Sequence, residues 1–174
     1  LVLATISLKY TQSNSIVFAL NGQTIGIGAG QQSRLDSVKI AGNKAKSWFL
    51  KQHPKILNLP FRKNVGSVGR INAIKLFIEE DLTEIEIKNF QKMFNNELPK
   101  FSPEEKKEWI AKLTNVSLSS DAFFPFRDSI DYFSKIGVKY VVQPGGSKRD
   151  DEVITASNEY GIAMAFSGIR LFHH

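Results

Sequence analysis

The sequence contains no cysteine and only three histidines among its 174 residues. The missing cysteines exclude disulfide bonds, thiolate metal sites and a cysteine nucleophile, and they agree with a reducing compartment such as the cytosol. No apolar run approaches the ~18 residues that a membrane-spanning helix needs. No secretory signal is recognisable either. We therefore expect a cytosolic protein without a membrane segment.

The overall composition is that of a soluble globular protein, with 42% hydrophobic and 23% charged residues. A chain of this length forms one domain or a large part of a bigger one, and it buries roughly 70% of the surface that the unfolded chain exposes. The sequence opens on an apolar run, residues 1–6, without an initiator methionine. We expect it to continue a longer protein.

The net charge of +6 is concentrated in one stretch, residues 36–63, where Asp36 is the single acidic residue. A solvated helix face explains such a run most simply. Binding of nucleic acid would require aromatic residues on an exposed face, whereas Trp48 and Phe49 are expected to pack inward. The sequence thus argues against nucleic acid as a partner, although a basic module for RNA or an anionic lipid stays open as an alternative.

The hydrophobic pattern predicts an α/β protein whose middle third, about residues 66–114, is a helical insertion. Asn21-Gly22 predicts a tight hairpin, and capping-box patterns begin helices at Thr83 and Ser102. Strands are predicted at 1–9, 15–20, 24–29, 116–119, 138–143 and 161–166. Helices are predicted at 33–52, 69–79, 83–95, from 102 past Trp109, at 128–136 and at 150–160, with a loop at 55–65.

Two glycine-containing loops, residues 28–34 and 144–150, follow predicted strands. Ligands bind at the carboxyl ends of strands in open α/β sheets, and the following helix N-terminus suits an anion. The same glycines could serve only as turns, and neither loop matches a phosphate-loop or dinucleotide fingerprint. A third segment, 119–128, places three phenylalanines around Pro125. It is either a core corner or an aromatic wall for a flat heterocycle.

Four motifs carry a resemblance to a known family: Lys-Tyr-Thr-Gln-Ser-Asn-Ser at 9–15, Gly-Ile-Gly-Ala-Gly-Gln-Gln-Ser-Arg at 26–34, Ser-Asp-Ala-Phe-Phe-Pro-Phe-Arg-Asp at 120–128, and Arg-Leu-Phe-His-His at 170–174. Over its whole length the chain resembles the C-terminal part of AICAR transformylase, the formyltransferase portion of the bifunctional AICAR transformylase/IMP cyclohydrolase family. The resemblance implies a three-layer α/β/α, cytidine-deaminase-like fold without the deaminase zinc. The sequence has neither Cys-x-x-Cys nor His-x-Glu, which excludes zinc deamination.

The resemblance also implies a reaction in purine biosynthesis. The 5-amino group of AICAR attacks the formyl carbon of 10-formyltetrahydrofolate, giving FAICAR and tetrahydrofolate, and a companion cyclohydrolase domain closes the ring to IMP. The family uses an adjacent Lys-His pair for the proton transfers, and this chain has none. We expect that pair, the rest of the transformylase and the cyclohydrolase region upstream, and the chain alone to be inactive.

Residue roles follow from matching the motifs. Asn14 would support catalysis and bind AICAR, together with Arg34, Phe123 and, at the 5′-phosphate, Arg170. The resemblance implies that four residues bind folate: Leu35, Asp128, Ser147 and Lys148. Asp128 could instead cap its helix, and Arg170 could be a terminal surface charge.

Two further properties are implied by the resemblance. The family site forms across a homodimer interface. Oxygen ligands for a monovalent cation such as potassium would come from Thr11, Ser13, Ser15 and Asp121, although a hydrogen-bonded turn explains these residues equally well. Besides the RNA- or anion-binding module, a structural dimerisation fragment that binds nothing by itself is a third possible function.

Overall fold

A computed structural model describes residues 1–79 and 82–174. It contains a mixed sheet of five strands in the order β2-β1-β3-β4-β5. The strands are β1 Ile16–Leu20, β2 Gln23–Gly28, β3 Val116–Ser120, β4 Val138–Gln143 and β5 Ala163–Phe166. The helices are α1 Val2–Leu8, α2 Arg34–Leu50, α3 Pro54–Leu57, α4 Ser67–Ile78, α5 Glu84–Gln91, α6 Pro103–Ile110, α7 Asp128–Phe133 and α8 Asp150–Glu159. The predicted α/β class is confirmed.

The chain divides into two compact units. The first consists of Leu1–Lys46 and Ala111–His174 and contains the sheet, and the second is Ser47–Ile110. In the second unit, helices surround a core that includes Leu50, Phe90 and Phe94. The predicted helical insertion therefore exists, but its compact unit begins near residue 47 rather than 66 and ends at 110.

The sheet brings five loops to one edge. β1 runs antiparallel to β2 and β3, with Ile16 opposite both Gly28 and Ser120. β4 runs parallel to β3, and β5 runs parallel to β4. Consequently the turn before β1 and the segments after β2, β3, β4 and β5 all lie at the same edge. The glycine loops, the aromatic segment and the C-terminal tail are brought together there.

Helices cover both faces of the sheet. On one face, Ala4 and Leu8 of α1 pack against Val17 and Ala19 of β1. On the other, α2 lies so close to β2 that a Cβ atom added at Gly28 would stand 2.1 Å from the carbonyl oxygen of Ser37. Only glycine permits that approach. This layering agrees with a three-layer α/β/α fold, whereas the deaminase-like label stays a prediction.

The prediction of a strand at residues 1–9 is wrong, because Val2–Leu8 is helical. The buried residues of this segment, Ala4 and Leu8, are four apart and therefore lie on one helical face. Thr5 and Ser7 donate side-chain hydrogen bonds to the carbonyls of Leu1 and Leu3, four residues back. A short apolar run with β-branched residues does not distinguish a buried strand from a helix.

The other elements lie close to their predicted positions. Asn21 and Gly22 both have positive φ, as a two-residue hairpin requires. Thr83 and Glu86 form both bonds of the predicted capping box, as do Ser102 and Glu105. The loop predicted at 55–65 instead begins inside α3, whose first residue is Pro54. No helix within residues 1–79 and 82–174 is long and apolar enough to cross a membrane.

Candidate functional site

A cavity of about 340 Å³ lies at the loop edge of the sheet. All four residues predicted to bind the substrate line it: Asn14, Arg34, Phe123 and Arg170. Each comes from a different loop or helix start, so the fold is what assembles them. The remaining lining residues are Gln32, Ser33, Ala122, Pro125 and Phe172.

A buried ion pair forms the floor of this region. The guanidinium of Arg34 pairs with the carboxylate of Asp121, and their side chains are 5% and 0% exposed. The other Asp121 oxygen accepts hydrogen bonds from the hydroxyl of Ser13 and, at 3.1 Å, from the backbone N–H of Ser15. Arg34 also donates to the carbonyl of Ser15 at 3.1 Å. The pair thus ties the start of α2, the end of β3 and the turn before β1 together.

The carboxylate of Asp121 offsets only part of the positive charge around Arg34. Burial lowers the pKa of Arg34, the carboxylate of Asp121 raises it, and the positive charge of Arg170 lowers it again. Arginine nevertheless stays protonated in proteins. The Nε atom of Arg34 is buried without a hydrogen-bond partner. Asp121 therefore balances the charge of Arg34, whereas the charge of Arg170 at the same cavity is not balanced by Asp121.

Asn14 is held in place by both ends of its side-chain amide. Its nitrogen donates to the carbonyl of Gln31 at 2.8 Å, and its oxygen accepts from Arg34 at 2.9 Å. One amide N–H then remains for a ligand, since the group has two donors. The resulting orientation suits recognition of a carboxamide at the cavity wall.

The aromatic segment contributes both to the core and to the lining of the cavity. Phe124 is fully buried and packs 5.7 Å from the ring of Phe133, which makes it part of the core. Phe123 and Pro125, its two neighbours, line the cavity instead.

The residues predicted to bind a cation form a hydrogen-bonded turn. Thr11 donates to the hydroxyl of Ser15 at 2.9 Å, and Ser13 donates to Asp121. Because Asp121 also pairs with Arg34, its oxygens are already engaged with donors. The part of the chain that the structure describes has no group of three or more His, Cys, Asp or Glu able to hold a metal ion. The geometry favours the turn.

The residues predicted to bind folate lie outside the cavity. Leu35 follows Arg34 in α2, and the other three are on the segments after β3 and β4. Those two segments meet, because the guanidinium of Arg149 lies 4.8 Å from the ring centre of Phe126. The alternative that Asp128 caps its helix is wrong: Arg127 holds the N-cap position, and no side-chain capping bond forms there.

The chain's sequence matches known proteins along nearly its entire length. Residues 1–44 match the family model described as the AICARFT/IMPCHase bienzyme. The bifunctional purine biosynthesis protein PurH of Aquifex aeolicus is 37% identical over 167 residues, which is 96% of this chain and 21% of that protein. PurH of Xylella fastidiosa is 37% identical over 166 residues, 95% of this chain and 20% of that protein. The chain is therefore similar, over nearly its whole length, to one part of PurH, and its first 44 residues match the AICARFT/IMPCHase family model.

The similarity covers most of this chain but only part of each relative. The chain spans about a fifth of the length of the curated PurH relatives that it matches. The matched family region, 1–44, includes Asn14 and Arg34, whereas the PurH alignments extend over nearly all the remaining residues as well. Motif matching did not identify the Arg34–Asp121 ion pair. Buried, long-range contacts of this kind have no local sequence signal.

Proposed function

We propose that this chain supplies the AICAR-binding wall of a formyltransferase active site in purine biosynthesis, with 10-formyltetrahydrofolate as co-substrate. The observation that carries the proposal is the convergence of Asn14, Arg34, Phe123 and Arg170 on one cavity. An aromatic ring, an amide and exposed cationic charge suit a flat carboxamide heterocycle carrying a phosphate. Calorimetric titration with AICAR 5′-monophosphate tests this, and absence of saturable binding would contradict it.

The proposed reaction forms a bond between the 5-amino nitrogen of AICAR and the formyl carbon, and it breaks the bond from that carbon to N10 of the folate. The amine loses a proton, and N10 of the leaving tetrahydrofolate gains one. In this chain Asn14 would orient the carboxamide beside the reacting amine. The acid–base groups would come from the Lys-His pair that the resemblance implies, so we expect no turnover by the 174 residues alone. The longer protein would also carry IMP cyclohydrolase activity.

A homodimer with the site at its interface is part of the same proposal. Several apolar side chains of the first unit are exposed, among them Val2 and Ile6 of α1 and Tyr140 of β4, at 74%, 49% and 44%. Exposed apolar side chains that form one patch are typical of protein interfaces, and our proposal takes those of α1 and β4 to form such a patch. A second copy covering this surface would bring its own residues near the sheet, in a cytosolic enzyme.

Asp128 gives a first prediction about folate. Replacing Asp128 by alanine in the complete enzyme should weaken folate roughly tenfold and leave AICAR binding unchanged, since a hydrogen bond to a charged group contributes about 1.5–3 kcal/mol. Thermal stability should change little, because Asp128 is exposed and makes no capping bond. The measurements are KM for each substrate and the melting temperature.

Asp151→Ala is the matched control for Asp128, because Asp151 is an exposed acidic residue in the first turn of α8. It should change neither KM. Equal changes in both variants, or an unchanged folate KM in Asp128→Ala, would contradict a folate role for Asp128.

The RNA- or anion-binding alternative is weakened by where its aromatic residues lie. Trp48 and Phe49 are half-buried, and Phe49 stacks on Trp109 at 5.6 Å. Lys44 donates to the carbonyl of Ile27, and Lys55 pairs with Glu105. A stacking platform needs exposed rings beside free cations. Salt-dependent RNA affinity would support this alternative, whereas selective retention by AICAR would oppose it.

A further inference from the structure

Gln143 is a buried polar side chain at the last position of β4, only 1% exposed. It does not line the cavity, it is uncharged, and no sequence motif indicates that it binds a ligand. Buried polar side chains need hydrogen-bond partners. The partners of Gln143 are therefore the guide to what it does.

Three bonds connect Gln143 to the segments that build the site. Its side-chain oxygen accepts the backbone N–H of Phe124 at 3.1 Å, and its side-chain nitrogen donates to the sulfur of Met164 at 3.2 Å. Its backbone oxygen accepts the N–H of Ser167 at 2.8 Å. Gln143 thus contacts the aromatic segment after β3, lies in β4, and holds the first residue after β5.

The bond to Phe124 fixes the backbone between two residues that line the cavity, Phe123 and Pro125. Phe124 points into the core, and its N–H lies away from the strand ladder, so Gln143 is the acceptor that this donor finds. When the backbone of Phe124 is fixed, Phe123 and Pro125 are directed to the opposite side, where they line the cavity. Without this acceptor, the buried N–H of Phe124 would lack a hydrogen-bond partner. If the segment rotated so that this N–H reached water, Phe123 would turn away from the cavity.

We propose that Gln143 is a positioning residue: its side-chain amide holds the segment around Phe124 so that Phe123 faces the nucleotide cavity, while its backbone holds the start of the tail that carries Arg170. The role rests on the proposed function, since the ligand recognised by the wall is an AICAR-like nucleotide. Glutamine suits it because one amide supplies an acceptor for Phe124 and a donor for Met164.

Three variants of the complete polypeptide test the role. Gln143→Met keeps the side-chain length and removes the acceptor. Gln143→Glu keeps the acceptor, but its buried carboxyl group lowers stability. Val141→Ala is the matched control, because Val141 lies two residues earlier in β4, is fully buried and makes no contact with the loop through a polar group. It lowers core stability by removing methyl groups.

The readouts are AICAR nucleotide affinity, amide hydrogen exchange at Phe124 and the melting temperature. Gln143→Met should lose roughly tenfold or more in affinity and expose the Phe124 amide to exchange, because it leaves a buried donor unsatisfied. Gln143→Glu should lower the melting temperature, yet below that temperature it should keep affinity within about threefold of wild type, since it retains the acceptor. Val141→Ala should lower the melting temperature without changing affinity.

Equal affinity losses in Gln143→Met and Val141→Ala would overturn the positioning role, as would a Phe124 amide that stays protected in Gln143→Met. If the wild-type protein bound no AICAR nucleotide, the proposed function would fail, and the link from Gln143 to the ligand would fall with it. The exchange measurement would then still show whether Gln143 holds the segment.

Discussion

Replacing Asp121 by asparagine is expected to lower the free energy of unfolding by ~3–5 kcal/mol, the usual cost of leaving a buried charge without its partner. Arg34 would remain protonated with its side chain only 5% exposed, facing an uncharged amide. The bonds from Ser13 and Ser15 to Asp121 would weaken as well. Urea denaturation followed by circular dichroism measures the change.

The exposed ion pairs that Arg127 forms with Asp131 and Glu159 provide the control for Asp121. The three side chains are 39%, 33% and 51% exposed, and such pairs contribute about 0.2–1 kcal/mol each. Arg127→Gln should therefore have a small effect. The double variant Arg34→Met/Asp121→Asn should recover part of the lost stability, because no unpaired charge remains. A loss in Asp121→Asn no larger than that in Arg127→Gln would show that the pair is not what holds the turn.

Measuring the stability of the wild-type protein in different salts distinguishes the ion pair from a bound cation. If Asp121 acts through Arg34, exchanging potassium for tetramethylammonium at constant ionic strength should leave wild-type stability unchanged. If Asp121 were a cation ligand, potassium would stabilise the folded protein in proportion to its binding, because a ligand of the native state shifts the unfolding equilibrium. A melting temperature that depends on potassium would therefore support a cation site at Asp121.

Elements with strong local signals were predictable from the sequence. Asn21-Gly22 specifies a hairpin through the positive φ angles that these residues tolerate, and the Thr83–Glu86 box marks a helix start through two reciprocal bonds. Residues 2–8 lacked such a signal. Their helical form depends on how Ala4 and Leu8 pack against β1, which is a tertiary contact.

The site was predictable only as far as its residues lie in recognisable loops. The carboxyl ends of strands mark where ligands bind, and this rule located the loops after β2 and β4. This rule does not predict which side chains contact each other. Arg34 and Asp121 are 87 residues apart, and Phe124 and Gln143 are 19 apart. Such contacts follow from strand order and register, which periodicity does not reveal.

The C-terminal tail gives the last prediction, because it carries Arg170 to the cavity. The N–H of Leu171 donates to the carbonyl of Asp121 at 2.9 Å, and Ser13 exchanges two bonds with His173, at 2.9 and 2.8 Å. These bonds hold the tail directly after Arg170, whose guanidinium stacks 4.8 Å from the ring centre of Phe172. Deleting residues 170–174 would disturb these bonds, so a single substitution is the cleaner test.

Arg170→Ala is expected to weaken AICAR 5′-monophosphate roughly 100-fold or more, since a guanidinium binds phosphate oxygens in pairs and each such bond contributes about 1.5–3 kcal/mol. The dephosphorylated nucleoside should bind as before, because it lacks that contact. Arg170→Lys should recover only part of the affinity, since lysine keeps the charge without the planar fork. Arg149→Ala, which removes an exposed guanidinium outside the cavity, should leave both ligands unaffected. Calorimetric titration of both ligands decides: equal losses for nucleotide and nucleoside in Arg170→Ala would mean that Arg170 acts through the fold of the tail rather than through the phosphate.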